Sequence, residues 1–120
     1  MATKRDVCVR RVYDKAEDQD GVRVLVDHLW PRGVSKAKAA LDEWCNDVSP
    51  STELRKWYNH DPAKFEEFTS RYRGELEDPQ RAEALQHLRE LATGHRLTLL
   101  TATKNPDISE AAVLRDLLRQ

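Results

Sequence analysis

The run RLTLLTA, residues 96–102, constrains the fold more than any other stretch of this chain. It is short, mostly apolar and followed by the turn signal KNPD, which marks a buried strand. It also comes late. Two strand-like runs stand near the start, VCVRRVY at 7–13 and VRVLVDH at 22–28, and helix signals fill residues 51–94. A strand reached through helices joins its sheet by a crossover, the connection that parallel neighbours require. The expected class is therefore α/β, a small mixed or mostly parallel sheet of three to four strands flanked by helices, with residues 1–120 as one domain.

The helix signals are specific. Ser51 can cap TELRKWYN, which groups Leu54, Trp57 and Tyr58 on one side. Asp61-Pro62 opens a second helix with the stripe Phe65, Phe68, Tyr72 and Leu76; Asp78-Pro79 repeats the device before Leu85, Leu88 and Leu91. In each pair the carboxylate accepts from free N–H groups, and proline at the first position loses no bond. Gly94 is placed to end the third helix. Asp107 with Glu110 predicts a capping box before a last helix carrying Val113, Leu114, Leu117 and Leu118. Within VRVLV, alternation puts Val22, Val24 and Val26 on one face and Leu25 on the other. Residues 40–48, ALDEWCNDV, suit either a helix or a short strand.

Composition excludes several classes. The 120 residues hold 34% charged and 39% hydrophobic side chains, a globular balance with a heavily charged surface. Twenty Lys and Arg against 21 Asp and Glu leave a net charge of −1, without the basic excess of a polyanion binder. No stretch reaches the length of a membrane span, and MATKRDVCVRR lacks an apolar signal core, so the expected location is the cytoplasm. Cys8 and Cys45 form no CxxC pair and read as free thiols.

Chemistry concentrates in one turn, DHLWPRGV at 27–34, which follows the second strand. Ligands of open α/β sheets bind outside the carboxyl ends of strands, where this turn would lie. Arg32 can grip a phosphate or carboxylate through two parallel hydrogen bonds. Gly33 admits close backbone approach, and Ser35 and Lys36 add a hydroxyl and a charge. His28 is the candidate catalytic residue, because imidazole exchanges protons near neutral pH. Lys104 would bring charge from the end of the last strand. The structural alternative has Trp30-Pro31 plugging the core, Gly33 as a turn residue and Arg32 paired to Asp27 or Asp42.

Other candidates carry less. At His60-Asp61, capping accounts for the acid. No two histidines share HxxxH spacing and neither cysteine has a local ligand partner, so neither a metal nor a cofactor is expected. Glu43 and Asp47 near Cys45 disfavour a thiolate, which points to packing. Arg71 and Arg73 flank Tyr72, but Glu66, Glu67, Glu75, Glu77 and Asp78 surround them, as on a salt-bridged helix face. Arg5, Arg10 and Arg11 form a second basic group.

The phrases RVLVDHLWPRGVSKAKAALDEW, PSTELRKWYNHDP, FEEFTSRYRGEL, LTLLTATK and the closing VLRDLL together resemble the YeaO-like family, a bacterial domain-of-unknown-function family. The likeness runs in order along nearly the whole chain. It implies a compact α/β domain in the bacterial cytoplasm and no particular activity. Two departures stand out. His28 replaces an arginine of the family's Asp-Arg-Leu-Trp-Pro-Arg-Gly, and Asn105, Ser109 and Glu110 stand where an acid and an Asn-His pair are usual.

The leading expectation is a domain that takes an anionic small molecule, such as a phosphate-bearing metabolite or nucleotide, on Arg32 and Gly33, with Ser35, Lys36 and Lys104 nearby and His28 as proton carrier. The alternative is a non-catalytic regulatory or protein-interaction module whose charged helices make the contact. Nucleic-acid binding through Arg10, Arg11, Lys36 and Lys38 ranks third. Oligomeric state is left open.

Overall fold

A computed structural model describes residues 6–120, so Arg5 lies outside the described residues. One sheet contains β1 (Val7–Arg11), β2 (Val22–Leu25), β3 (Glu43–Trp44) and β4 (Leu97–Thr101). The spatial order is β1-β4-β2-β3, and every pairing is parallel. β4 is buried at all five residues and lies between β1 and β2, which explains its unbroken apolar run. The helices are α1 (Lys36–Ala39), α2 (Thr52–Tyr58), α3 (Phe65–Glu75), α4 (Pro79–Leu91) and α5 (Glu110–Arg119).

Register divides the sheet into two unlike faces. Val7, Leu97 and Val22 align, as do Val9, Leu99 and Val24, and this side packs into the main core. Phe68, Tyr72, Leu88, Leu114 and Leu118 from the long helices complete that core. Tyr58, Phe68 and Tyr72 stack in sequence, the first pair at 4.2 Å between centroids. On the opposite face Cys8, Thr98 and Arg23 align, followed by Arg10, Leu100 and Leu25. A small cluster of Val12, Leu25, Ala39 and Leu100 covers one end of this face. Its other end holds Asp20, clasped by Arg10 and Arg23. The alternation of Val22, Val24 and Val26 against Leu25 follows from the same register.

The sheet is wholly parallel, within the expected α/β class, and the helix-start expectations hold at Ser51 and Asp61 but are corrected at Asp78 and at Asp107 with Glu110. Residues 40–48 hold the two-residue β3 and a 3-10 turn, Asn46–Val48, because pairing with β2 supplies the backbone bonds that a helix would have made internally. Ser51 caps α2 by accepting from Leu54 N at 3.2 Å, and Asp61 accepts from Ala63 N at 3.0 Å ahead of a 3-10 turn that leads into α3. Asp78 makes no capping bond; its carboxylate lies 3.7 Å from Arg81. Asp107 and Glu110 form no box, since Ser109 caps α5 and Asp107 falls in the preceding 3-10 turn.

Candidate functional site

A cavity of about 440 Å³ opens outside the carboxyl ends of β2 and β4. Residues 27–32 line it after β2, Ala102 and Thr103 after β4, and Ser109 and Glu110 at the start of α5. Arg55 and Tyr58 of α2, with Pro50, His60 and Phe68, close the far side. Two adjacent parallel strands thus deliver their following loops to one crevice, the usual ligand position in such sheets.

The loop after β2 is fixed by its indoles. Trp30 Nε1 donates to Val34 O at 2.7 Å, and Trp44 Nε1 donates to Asp27 O at 2.8 Å. The two rings meet edge to face at 5.5 Å, and Pro31 is buried beside them. This stapling leaves Arg32 exposed at the cavity's edge. Among the described residues its guanidinium has no hydrogen bond or ion pair, so neither Asp27 nor Asp42 claims it.

Asp27 has another task. Its carboxylate accepts from Thr101 Oγ1 and from Ala102 N, both at 2.8 Å, and so ties the end of β2 to the end of β4. Beside it stands Glu110. Burial, then the hydrogen bond and charge of Asp27, push the Glu110 carboxyl well above the ordinary carboxylate range, and the Arg55 guanidinium opposes this only in part. The upward shift favours a proton on Glu110, held toward the Asp27 carboxylate. Tyr58 donates to Ile108 O at 2.6 Å, and burial, then Asp61 and Glu110, push its phenol up to about 12. The cavity floor thus combines the Asp27–Glu110 acid pair with the Tyr58 phenol.

His28 is exposed at the rim, with Nδ1 3.4 Å from Ser49 Oγ. That hydroxyl donates to Asn46 O, so the imidazole faces an acceptor oxygen and no carboxylate. His60 follows Asn59 in left-handed backbone, φ 55° after 45°, a conformation costing a non-glycine residue about 1 kcal/mol. Arg55 is held by Pro50 O and Thr52 Oγ1 at 3.2 and 2.9 Å.

The remaining expected site residues lie elsewhere. Gly33 takes φ +74° and is exposed, outside the cavity lining. Ser35 caps α1 by accepting from Lys38 N. Lys36 and Lys104 are exposed and also outside the lining. No cluster of three or more His, Cys, Asp or Glu suited to a metal occurs among the described residues. No described helix is long and apolar enough to cross a membrane. Cys45 is buried, and burial, then Glu43, raises its thiol to about 11. Arg10, of the expected basic group, is committed to Asp20 and Glu17.

Sequence reasoning missed Arg55, Tyr58 and Glu110 as cavity residues; it set Asp27 in the strand-end turn but as a structural partner for Arg32, left His60 beside the Asp61 cap, and read Glu110 in a capping box. Arg55 and Tyr58 carry no local mark that separates them from other helix residues.

Comparison with known proteins bears on the whole chain. Residues 6–120 match the family model DUF488-N3i, described as the inactive DUF488-N3 subclade. Over 118 residues the chain is 47% identical to uncharacterized protein Rv3073c of Mycobacterium tuberculosis, which covers 98% of each. Over 110 residues it is 44% identical to uncharacterized protein YeaO of Escherichia coli, covering 92% of this chain and 94% of that one. No solved structure matches it.

Proposed function

The chain belongs to the inactive DUF488-N3 subclade, and from that footing we propose that it binds an anionic small molecule in the strand-end cavity without turning it over. One observation carries the reading: Arg32 stands unpartnered among the described residues at the edge of a cavity that Arg55 also lines. A free guanidinium offers a planar fork to a carboxylate or phosphate. Trp30, Tyr58 and Phe68 supply apolar wall for the body of the ligand. The raised Glu110 carboxyl favours its neutral form, which limits the negative charge of the floor and lowers its repulsion of an anion. Two facts favour binding over catalysis. His28 lacks the carboxylate that would orient a general base, and the subclade's own description is inactive. We place this activity in the cytoplasm, as the sequence suggests.

The test is a thermal-unfolding screen of the purified protein against inorganic phosphate, nucleotides and small carboxylates. A ligand at about 100 times its dissociation constant adds about 2.7 kcal/mol, a shift of several degrees in this size range. Arg32→Ala is expected to remove the shift given by carboxylates while the unliganded midpoint stays within about 0.5 kcal/mol, as for an exposed residue. A carboxylate shift that persists in Arg32→Ala, or a screen in which no anion stabilises the protein, overturns the proposal.

A further inference from the structure

A second, smaller hollow of about 190 Å³ adjoins the main cavity and shares His28, Pro50 and Arg55 with it. Its chemistry differs. Apart from Pro50 its lining is polar, and two guanidiniums enter from different helices, Arg55 from α2 and Arg81 from α4. Both are held by consecutive carbonyls of one loop. Arg81 Nε donates to Ser49 O at 2.9 Å and Arg55 Nε to Pro50 O at 3.2 Å. Arg55 Nη2 is taken by Thr52 Oγ1, and Arg81 Nη1 lies 3.7 Å from Asp78. Nη1 of Arg55 and Nη2 of Arg81 are left without a partner among the described residues. Asp47 is the acid in the lining, and Gln80 Nε2 donates to it at 3.3 Å. Asp78 stands beside Arg81 and Glu75 accepts from Ser51 N and Oγ, so what the hollow offers an anion is the two unpartnered Nη donors rather than an excess of positive charge.

We infer that this hollow is a phosphoryl subsite, and that the ligand of the main cavity is an organic phosphate. Its phosphoryl group sits between Arg55 and Arg81 and its apolar body in the larger cavity. The inference rests on the cavity being the ligand site and adds where the phosphoryl group goes and which arginines hold it. A phosphoryl group suits the place because its tetrahedral oxygens can accept from both guanidiniums at once, which a planar carboxylate does less well. Arg32 then meets any second acidic group at the mouth. Arg55 and Arg81 escaped the sequence reading because each looks like one more charge on a helix face; only the fold, with the carbonyls of Ser49 and Pro50, brings them into one hollow.

The experiment titrates the full chain with inorganic phosphate, phenyl phosphate and benzoate, following the phosphates by phosphorus NMR and all three by thermal unfolding. Saturable binding of inorganic phosphate is expected, with phenyl phosphate tighter because its ring reaches the main cavity. Arg81→Ala should weaken both phosphates by about tenfold or more and leave benzoate unaffected. Arg32→Ala should do the reverse and spare inorganic phosphate. Arg81→Lys, which keeps the charge and loses the fork, serves where the alanine variant unfolds, and it too should weaken the phosphates. Phosphate binding that does not saturate, that survives both Arg81 changes, or that is lost in Arg32→Ala overturns the subsite. If benzoate binding depends on Arg32 while phosphate fails, the proposed function stands and the subsite alone falls.

Discussion

Replacing Asp20 by Asn tests whether the buried ion cluster under the sheet secures the fold. Asp20 is 3% exposed and Arg23 4%. The Asp20 carboxylate accepts from Arg10 Nη1 through both oxygens at 2.9 Å, from Arg23 Nη1 and from Glu17 N at 3.0 Å. Removing the acid leaves a buried guanidinium without its counter-charge, which costs about 3–5 kcal/mol. Arg23 keeps its bonds to Ala39 O and Ala40 O at 3.0 and 3.2 Å, so the lower end, about 3 kcal/mol, is expected. A domain of this kind has about 5–15 kcal/mol in hand, so the variant should fold, with its midpoint lower by about 10 °C.

Urea denaturation at neutral pH gives the difference directly, and an acid series checks its origin. Burial pushes the Asp20 carboxyl up, but the Glu17 N–H and the Arg10 and Arg23 guanidiniums outweigh it and hold the group below its ordinary value of 3.8. The folded state then binds fewer protons than the unfolded one, so stability rises with pH in that window. The contribution is complete above 3.8 and is lost as pH falls through the lower folded value. Wild type and Asp20→Asn should therefore converge in acid. A loss under about 1 kcal/mol, the range of exposed pairs, or a gap indifferent to acid, would refute the reasoning.

Three further outcomes are expected. Glu110→Gln should match wild type where the carboxyl is protonated; because burial and Asp27 raise this group, wild type alone should lose stability as pH rises through the folded value, and parallel thermal-unfolding profiles would contradict that. Gly21→Ala would place Cβ 2.2 Å from Arg96 O at φ +66°, whereas Gly33→Ala meets open space at φ +74°; the first should cost more than about 2 kcal/mol and the second about 1 kcal/mol by urea denaturation, and equal losses would count against the steric argument. Cys45, buried with its thiol near 11, should resist alkylation by iodoacetamide at neutral pH until the chain unfolds, and rapid labelling at that peptide would show the opposite.

Signals carried by near neighbours were legible before the fold was known. Ser51 capping Leu54, proline opening α4 at Pro79, and the split of Val22, Val24 and Val26 from Leu25 each depend on residues a few positions apart. So did the burial of β4, since only a strand covered on both faces tolerates that apolar run. Where local signals competed, as with Asp107, Ser109 and Glu110 before α5, sequence chose wrongly, because three polar residues within four positions offer several caps and only the helix's docking selects one.

The sequence by itself thus determined the four longer helices, the two faces of β2, the crossover to a late buried strand, and a strand-end loop pinned by tryptophan. Tertiary structure alone decided the acid pair of Asp27 with Glu110, the clasp on Asp20, the short β3, and the meeting of Arg55 with Arg81. The physical reason is range. Hydrogen bonds within a turn or a cap select residue types at fixed spacing, whereas side chains from distant segments meet only where strand order and helix packing bring their backbones together.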